Sequence, residues 1–411
     1  MNMPKIHNPY SAVELTSLVS TSRAAAVFFT SVTCPPCRTI EPEFNRLVEQ
    51  AEYPITAVKV DVGMVHDAGV QYGVRATPTF MFFANGGEKV HQFSGADPRE
   101  LATGIQLALF SAYPPHSHTK LHLPQLHSIS NAPILFTNVN ADAIFIKLNA
   151  LIAENNISLS QADKNTLQYT KIYISNPKDG EFNVNSWNNL FVLLCNSMPL
   201  VNHFPLYDIQ RLLLLNPPVG EYYLLNVDPL LRIFKLVNET QDIPKPVHIM
   251  ILRIACNLFA HPPLATQFLI TPGYRSAITT LLISTLTNVP DSQVRLTAAS
   301  LAFNFAAWIG ERRKRHKGQK STEKVEEELE GDWVVECVSV IVRGIEVELE
   351  EETLYRLICS LANFLFLSPD NFLSDLAAVL DVQRLLSEKR NAFPHSKRVA
   401  AISSDIVKIL E

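Results

Sequence analysis

The chain has 411 residues, about two to three times the length of a usual domain, so its sequence predicts more than one hydrophobic core. Apolar residues make up 47% and charged residues 18%, which excludes a wholly disordered protein. The net charge of -5 gives no cationic field to attract nucleic acid or an anionic membrane, and neither partner is expected. A basic run at 312–317 is interpreted as part of a solvated insert.

The N-terminus and the hydropathy of the chain bear on its location. Residues 1–11 lack the apolar segment flanked by basic residues that marks a secretory signal. No stretch reaches about 18 apolar residues without a polar interruption, so no membrane span is predicted. We expect a soluble protein made in the cytosol, with the nucleus as a second location.

The first 110 residues have the pattern of an α/β sheet domain. We predict four strands there, at 25–30, 56–60, 79–83 and 89–93. Apolar residues at helical spacing predict helices around 39–52 and 99–110. Strands that alternate with helices favour an α/β fold, and we place this domain at 6–110.

Residues 111–132 have the composition of a linker. Prolines and histidines lie there among short polar residues, with no helical or strand periodicity. The four histidines have no fixed scaffold and no cysteines nearby, so no metal site is expected.

The remainder, 133–411, predicts helix after helix, because apolar residues recur there at three- and four-residue spacing. Three of these helices share a centre in which one asparagine lies among apolar residues: Asn257, Asn304 and Asn363. Their separations of 47 and 59 residues, the second across the charged insert, resemble the period of about 40 to 47 residues in armadillo and HEAT repeats. Stacked repeats would form a superhelix whose concave surface suits an extended peptide, although a Leu-rich helical protein can also produce three imperfect copies.

Cys34 and Cys37 carry the clearest chemistry. They follow a predicted strand and precede a helix, so Cys34 should lie at a helix N-terminus, where backbone N–H groups stabilise its thiolate. Cys37 lies one turn later and can attack a mixed disulfide formed at Cys34. Zinc would need a second ligand pair, which is absent from the first domain, so neither a metal nor any other cofactor is expected.

This part of the sequence resembles thioredoxin. The resemblance rests on the strand before the Cys-x-x-Cys pair, Pro42, VKVD at 58–61, YGVRATPTF at 72–80 and the glycine hairpin that follows. It implies a cis peptide at Thr77-Pro78 beside the cysteines, with the Thr77 backbone exposed to a partner strand.

Two departures from thioredoxin bear on activity. Thr33 stands where the family has tryptophan, and Phe28 stands where it has a buried aspartate that relays protons to the second cysteine. The prolines between the cysteines also stiffen the loop. A redox-inert binding module that keeps its cysteines therefore remains an alternative to active dithiol chemistry.

The helical part resembles the PUL domain. The resemblance rests on Trp187, a Pro-initiated helix at 204–216, RIACNLF at 253–259, VRLTAASLAFNFA at 294–306 and ETLYRLICSLANFL at 352–365. It implies an armadillo-like superhelix whose basic groove holds the acidic, tyrosine-bearing C-terminal tail of the valosin-containing-protein AAA+ ATPase. The order thioredoxin then PUL is similar to a group of fungal proteins.

Groove candidates follow from the chemistry of peptide binding. Asparagine can bond both the N–H and the C=O of an extended peptide, and arginine binds carboxylates. Helical spacing puts Arg295 on the side opposite Asn304 and leaves it out. The candidates are Arg253, Asn257, Asn304, Arg356 and Asn363. The alternative is that the asparagines cap internal turns and the arginines form surface ion pairs.

Two functions follow from these patterns. The first is an adaptor in ubiquitin-linked turnover, in which the PUL domain docks on the ATPase and the thioredoxin domain presents clients or senses their thiols. The second is a thiol-disulfide oxidoreductase, in which Cys34 attacks a client disulfide, Cys37 resolves it, and the helical domain selects clients. The catalytic candidates are Cys34, Cys37 and Pro78, and Thr77 is the substrate-binding candidate.

Overall fold

A computed structural model describes residues 6–176, 182–240, 242–288, 290–316, 331–369 and 372–411. Residues 6–120 form one compact unit, and the described residues from Leu121 to Lys314 and from 331 onward form a second. The part of the predicted insert at 317–330 lies outside the described residues.

The first unit has the predicted α/β fold. Its elements are α1 (Ala12–Ser20), β1 (Ala24–Thr30), α2 (Pro35–Glu49), β2 (Thr56–Asp61), α3 (His66–Gln71), β3 (Thr79–Ala84), β4 (Glu88–Ser94) and α4 (Pro98–Ala112). The sheet order is β2-β1-β3-β4, with β1 parallel to β2 and the other pairs antiparallel. All four predicted strands are confirmed to within one residue at each end.

Strand β1 holds this unit together, because it is buried along its whole length. Alternate residues of a strand face opposite sides of the sheet. Phe28 therefore packs with Phe44 of α2, whereas Phe29 packs on the other side with Leu15 of α1. The sheet lies between two layers of helices, as in a doubly covered α/β domain.

The second unit is helical, as predicted. Its helices are α5 (Pro124–Ser128), α6 (Ala141–Glu154), α7 (Gln161–Ser175), α8 (Val184–Ser197), α9 (Phe204–Leu213), α10 (Pro217–Leu225), α11 (Asp228–Glu239), α12 (Lys245–Asn257), α13 (Pro262–Ile270), α14 (Pro272–Asn288), α15 (Ser292–His316), α16 (Asp332–Val347), α17 (Glu351–Leu365), α18 (Phe372–Val379), α19 (Val382–Ala392) and α20 (Lys397–Leu410).

These helices pack in two layers. In one layer α6, α9, α12, α15, α17 and α20 are successive neighbours; in the other, α11, α14, α16 and α19 follow one another. Each layer covers the apolar face of the other, so one core runs through the unit, as expected of stacked repeats.

The hydropathy of these helices agrees with burial inside the unit. Over the described ranges, no single helix is both long and apolar enough to cross a membrane. One pair, Lys245–Ala260 with Pro262–Ile270, meets the length and composition criteria together and is bent by 114°.

The second half of the predicted linker packs on the helical unit. It contains α5, and Leu123 and Leu126 are buried in the core of that unit. Asp405 of α20, itself 2% exposed, accepts hydrogen bonds from the N–H groups of Gln125 at 2.8 Å and Leu126 at 2.9 Å. The sequence does not predict this docking segment, because the segment is rich in prolines and polar residues and only a few apolar side chains anchor it.

Candidate functional sites

The dithiol site is built by the junction of β1 and α2. Cys34 is the N-cap of α2, and its Sγ accepts a hydrogen bond from the Cys37 N–H at 3.3 Å. Pro35 and Pro36 fit the first helical turn because the N–H groups they lack would have no partner there. The helix therefore begins at Pro35, four residues before the predicted start.

The structure brings together the four residues predicted for this site. Cys34 and Cys37 form a disulfide, and the Thr77-Pro78 peptide is cis. The Sγ of Cys34 lies 3.5 Å from the carbonyl oxygen of Thr77. Cys34 is 8% exposed and Cys37 is 1% exposed, so Cys34 is the sulfur that a partner can reach.

The region behind Cys37 is apolar. Phe28 is fully buried, and its ring stacks on Phe80 with centroids 4.7 Å apart. Lys59 of β2 lies opposite Phe28 in the sheet. Its ammonium group donates to Glu41 of α2 at 2.6 Å, and both side chains of this ion pair are half-exposed. None of the described carboxylates up to Lys120 is buried, so in the reduced chain the Cys37 thiol would have no buried carboxylate to take its proton.

A cavity of about 360 Å³ lies on the β2 side of this site. Val32 and Met64, 67% and 78% exposed, line it together with the Lys59 and Glu41 pair. Val32 stands two residues before Cys34, so the cavity borders the loop that carries the dithiol.

The second candidate site is formed by two buried asparagines of the helical unit, Asn257 and Asn304, which we call the ladder. An extended segment, residues 131–138, crosses it, and we call this segment the strap. Asn304 accepts a bond from the Ile134 N–H at 2.7 Å and donates to the Ile134 carbonyl at 3.0 Å. Asn257 does the same with Phe136, at 2.8 and 3.0 Å. The asparagines therefore bind an extended backbone in the way predicted, but the backbone belongs to the same chain.

This occupancy corrects the predicted role of the asparagines. Asn257 and Asn304 are 0% and 1% exposed, so neither is open to another peptide while the strap is in place. Asn363 donates to the carbonyl of Cys359 in its own helix, at 3.1 Å, and has no described bond to the strap. The sequence pattern showed the binding geometry but not the occupant.

Arg211 of α9 continues the ladder and was missed by the sequence analysis. Its guanidinium donates to the carbonyls of Phe136, at 2.6 Å, and Asn138, at 3.0 Å, and forms an ion pair with Asp208. Arg211 precedes Asn257 by 46 residues, nearly the separation of Asn257 from Asn304. That repeat spacing is the signal that could have found it.

The two predicted groove arginines differ in their surroundings. Arg253 is half-buried over the ring of Phe136, 5.0 Å from its centroid, and its Nε has no hydrogen-bond partner. Burial, and next the neighbouring Arg211, lower the pKa of Arg253. Arg356 is already bonded, to Ser300 at 2.6 Å and to Glu352 at 2.8 Å. Arg253 lies beside the strap and forms no ion pair with a described carboxylate, although Asp208 acts on it at longer range.

Arg295, which the helical spacing put on the other side of α15, pairs with Glu348 at 2.9 Å. Burial raises the pKa of Glu348, but Arg295 and the N–H groups of Glu350 and Leu349 outweigh that effect, and the net pKa is lowered. This pair contributes to the structure of the unit and takes no part in the ladder.

Comparison with known proteins assigns both units. Residues 130–405, more than half of the chain, match the PUL domain family, and residues 10–106 match the thioredoxin family. The chain belongs to the PUL-domain family and carries a thioredoxin domain at its N-terminal side. The PUL match begins at residue 130, so the strap lies inside the PUL domain, whereas α5 lies just before it.

Relatives of the thioredoxin domain are numerous. The domain is 38% identical over 109 residues to a thioredoxin-like protein of Fusarium culmorum, across 25% of this chain and 88% of that protein. It is 37% identical over 86 residues to a thioredoxin of Ophiophagus hannah, across 21% of this chain and 79% of that protein. The solved thioredoxin of Fasciola hepatica is 31% identical and covers 25% of this chain and 99% of its own, with a TM-score of 0.24.

Proposed function

We propose that the chain is an adaptor in ubiquitin-linked protein turnover. Its PUL domain binds the acidic C-terminal tail of a valosin-containing-protein AAA+ ATPase, and its thioredoxin domain presents clients or senses their thiol state. The observation that carries the proposal is Arg253, a half-buried cation that lies over Phe136 of the strap and forms no ion pair with a described carboxylate. The domain that holds it, residues 130–405, matches the PUL family.

Arg253 supports an acidic partner in particular. Its side chain is half-buried, and the two largest effects on its pKa, burial and the nearby Arg211, both disfavour its charge. A carboxylate brought in by a peptide would form a charge-assisted hydrogen bond with this guanidinium and offset both effects. The proposal therefore makes Arg253 the main anchor for the tail.

The experiment is calorimetric titration of the full chain with the ATPase tail peptide. We expect micromolar binding that Arg253→Glu weakens by at least about tenfold, because a favourable ion pair becomes a repulsive contact. Arg384→Glu makes the same charge change at an exposed arginine of α19 and should leave the affinity unchanged. Failure of the wild type to bind, or equal losses in both variants, would argue against the proposal.

Thiol-disulfide exchange is a second candidate, favoured by the geometry of Cys34. In the reduced chain the Cys34 thiolate attacks one sulfur of a client disulfide, and the other client sulfur leaves as a thiolate. The Cys37 thiolate then attacks Cys34 and releases the first client sulfur, so the client gains two electrons and this chain becomes the disulfide. An external dithiol must reduce the chain again before the next cycle.

Trapping distinguishes this candidate. A Cys37→Ser chain lacks the resolving thiolate, so covalent client complexes should accumulate on Cys34. Addition of dithiothreitol should reduce these mixed disulfides and release the clients. A chain with both Cys34→Ser and Cys37→Ser is the matched control and should trap nothing. If the two chains give the same background, the dithiol does not exchange with clients.

A further inference from the structure

The strap has one backbone edge that no other described group occupies. Ile134 and Phe136 use both their N–H and C=O groups on the ladder. Alternate residues of an extended chain direct these groups to opposite sides, so those of Leu135 and Thr137 face away from the asparagines. Throughout the described part of the chain, no hydrogen bond reaches these four groups. Leu135 is half-buried and packs against the helical core, whereas Thr137 is exposed, so this edge reaches the surface at Thr137.

This edge is held in place from both ends. Before the strap, Asp405 and the buried Leu123 and Leu126 fix α5 on the helical core. After it, Arg211 holds the carbonyl of Asn138, and Asn140 caps helix α6. The strap is thus a single, preordered strand that exposes unpaired backbone groups, which is the template for addition of a second strand.

Displacement of the strap by a competing peptide is the costlier route. It would break the four hydrogen bonds of Asn257 and Asn304 to the strap and the two from Arg211. It would also leave two buried amide side chains in need of new partners, which is unfavourable. Addition at the free edge keeps all of these bonds and forms new ones with Leu135 and Thr137.

The positive charge of Arg253 beside the strap favours an acidic peptide as the added strand. Arg253 lies over Phe136 and is only half-buried, its Nε being the buried and unbonded part, and no described carboxylate forms an ion pair with its guanidinium. We propose that an acidic peptide binds the PUL domain by strand addition to the Leu135–Thr137 edge of the strap, with one of its carboxylates on Arg253. This inference rests on the proposed function for the identity of the peptide, and it specifies how that peptide is held.

Residue-resolved amide exchange on the full chain, with and without the acidic ATPase tail peptide, tests the inference. We expect the amides of Leu135 and Thr137 to exchange at least about tenfold more slowly with the peptide, while those of Ile134 and Phe136 keep their protection. Loss of protection at Ile134 and Phe136 would mean that the peptide displaces the strap, which overturns this inference and leaves the proposed function intact. No peptide binding overturns both.

A variant sharpens the test. Thr137→Pro removes the free N–H without touching a ladder bond, and it should weaken peptide binding about five- to tenfold. Thr137→Ala removes the side chain and keeps the N–H, so it should bind as the wild type does. Equal affinities for the two variants would contradict strand addition. So would protection of Leu135 and Thr137 that rises with protein concentration alone, since two copies would then pair through this edge.

Discussion

The two candidate sites differ in how far apart their residues lie in the sequence. Cys34 and Cys37 are three residues apart, and the cis Thr77-Pro78 peptide directly precedes β3 of the same domain. On the ladder, Phe136 meets a side chain 121 residues away and Ile134 meets one 170 residues away. The dithiol site therefore needs only the fold of the thioredoxin domain, whereas the ladder exists only when the whole helical unit is folded.

The comparison also concerns extended backbones. The thioredoxin domain places the carbonyl of Thr77 beside Cys34, and the PUL domain fills its ladder with its own strap. The ladder is thus occupied by a segment of the same chain.

The largest expected effect is at Phe28. Phe28→Ala removes a fully buried ring that stacks on Phe80, and it should lower the free energy of unfolding of the thioredoxin domain by about 4 kcal/mol. Amide exchange in β1 measures the change. Phe28→Leu keeps most of the volume and should lose less than about 1.5 kcal/mol. A similar loss in both variants would show that the stacked rings are not the source of stability.

Asn257→Ala should lower the stability of the PUL domain by about 3 kcal/mol. It leaves both backbone groups of Phe136 and the carbonyl of Arg211 without their partner. All three tryptophans, Trp187, Trp308 and Trp333, lie outside the thioredoxin domain, so tryptophan fluorescence during urea unfolding reports on the PUL domain.

Asn363→Ala provides the comparison for that experiment. Asn363 has a described bond only to the carbonyl of Cys359, so its loss should be near 1 kcal/mol. If the two alanine variants unfold at the same urea concentration, the strap does not stabilise the ladder as described.

The anchor before the strap should have an intermediate effect. Asp405→Ala removes the acceptor of two N–H groups at the start of α5 and should cost about 2 kcal/mol in the same urea experiment. Asp405→Asn keeps an acceptor oxygen and should recover part of the loss. Identical behaviour of the two variants would place the anchoring elsewhere, in Leu123 and Leu126.

Several features were predictable because they depend on near neighbours in the sequence. Strands β1 and β3 are continuous apolar runs, and the spacing of Cys34 and Cys37 after a strand fixes a helix N-cap. Helix α3 is short and has few apolar residues, so the sequence does not predict it. In α1, by contrast, the buried Ala12, Leu15 and Val19 stand at helical spacing, and that signal could have found the helix.

The strap was not predictable for a different reason. Its apolar run at 134–136 predicts the beginning of the helical array, but its backbone bonds to asparagines on α12 and α15 instead of to itself. Nothing in the sequence near Ile134 indicates those partners. Arg211 is not an asparagine, so only the repeat spacing indicates it.

The smallest expected effect is the pH dependence of the PUL domain. Burial lowers the pKa of His248 below its usual 6.5, and its Nε2 lies 2.9 Å from the hydroxyl of Thr285. The unfolded chain therefore binds this proton more readily, so stability is lost as the pH falls from about 6.5 towards the folded pKa. His248→Gln should flatten the loss between pH 7 and about 5 in urea midpoints. An unchanged slope would show that other groups cause it.

The central claim is that the PUL domain holds its own strap on the asparagine ladder, and amide exchange in the free full chain tests it most directly. The amides of Ile134 and Phe136 should exchange about a hundredfold or more slowly than in an unstructured peptide. Asn304→Ala should release Ile134 first, and Asn257→Ala should release Phe136 first. Exchange of both amides at the rate of an unstructured peptide in the wild type would contradict the account.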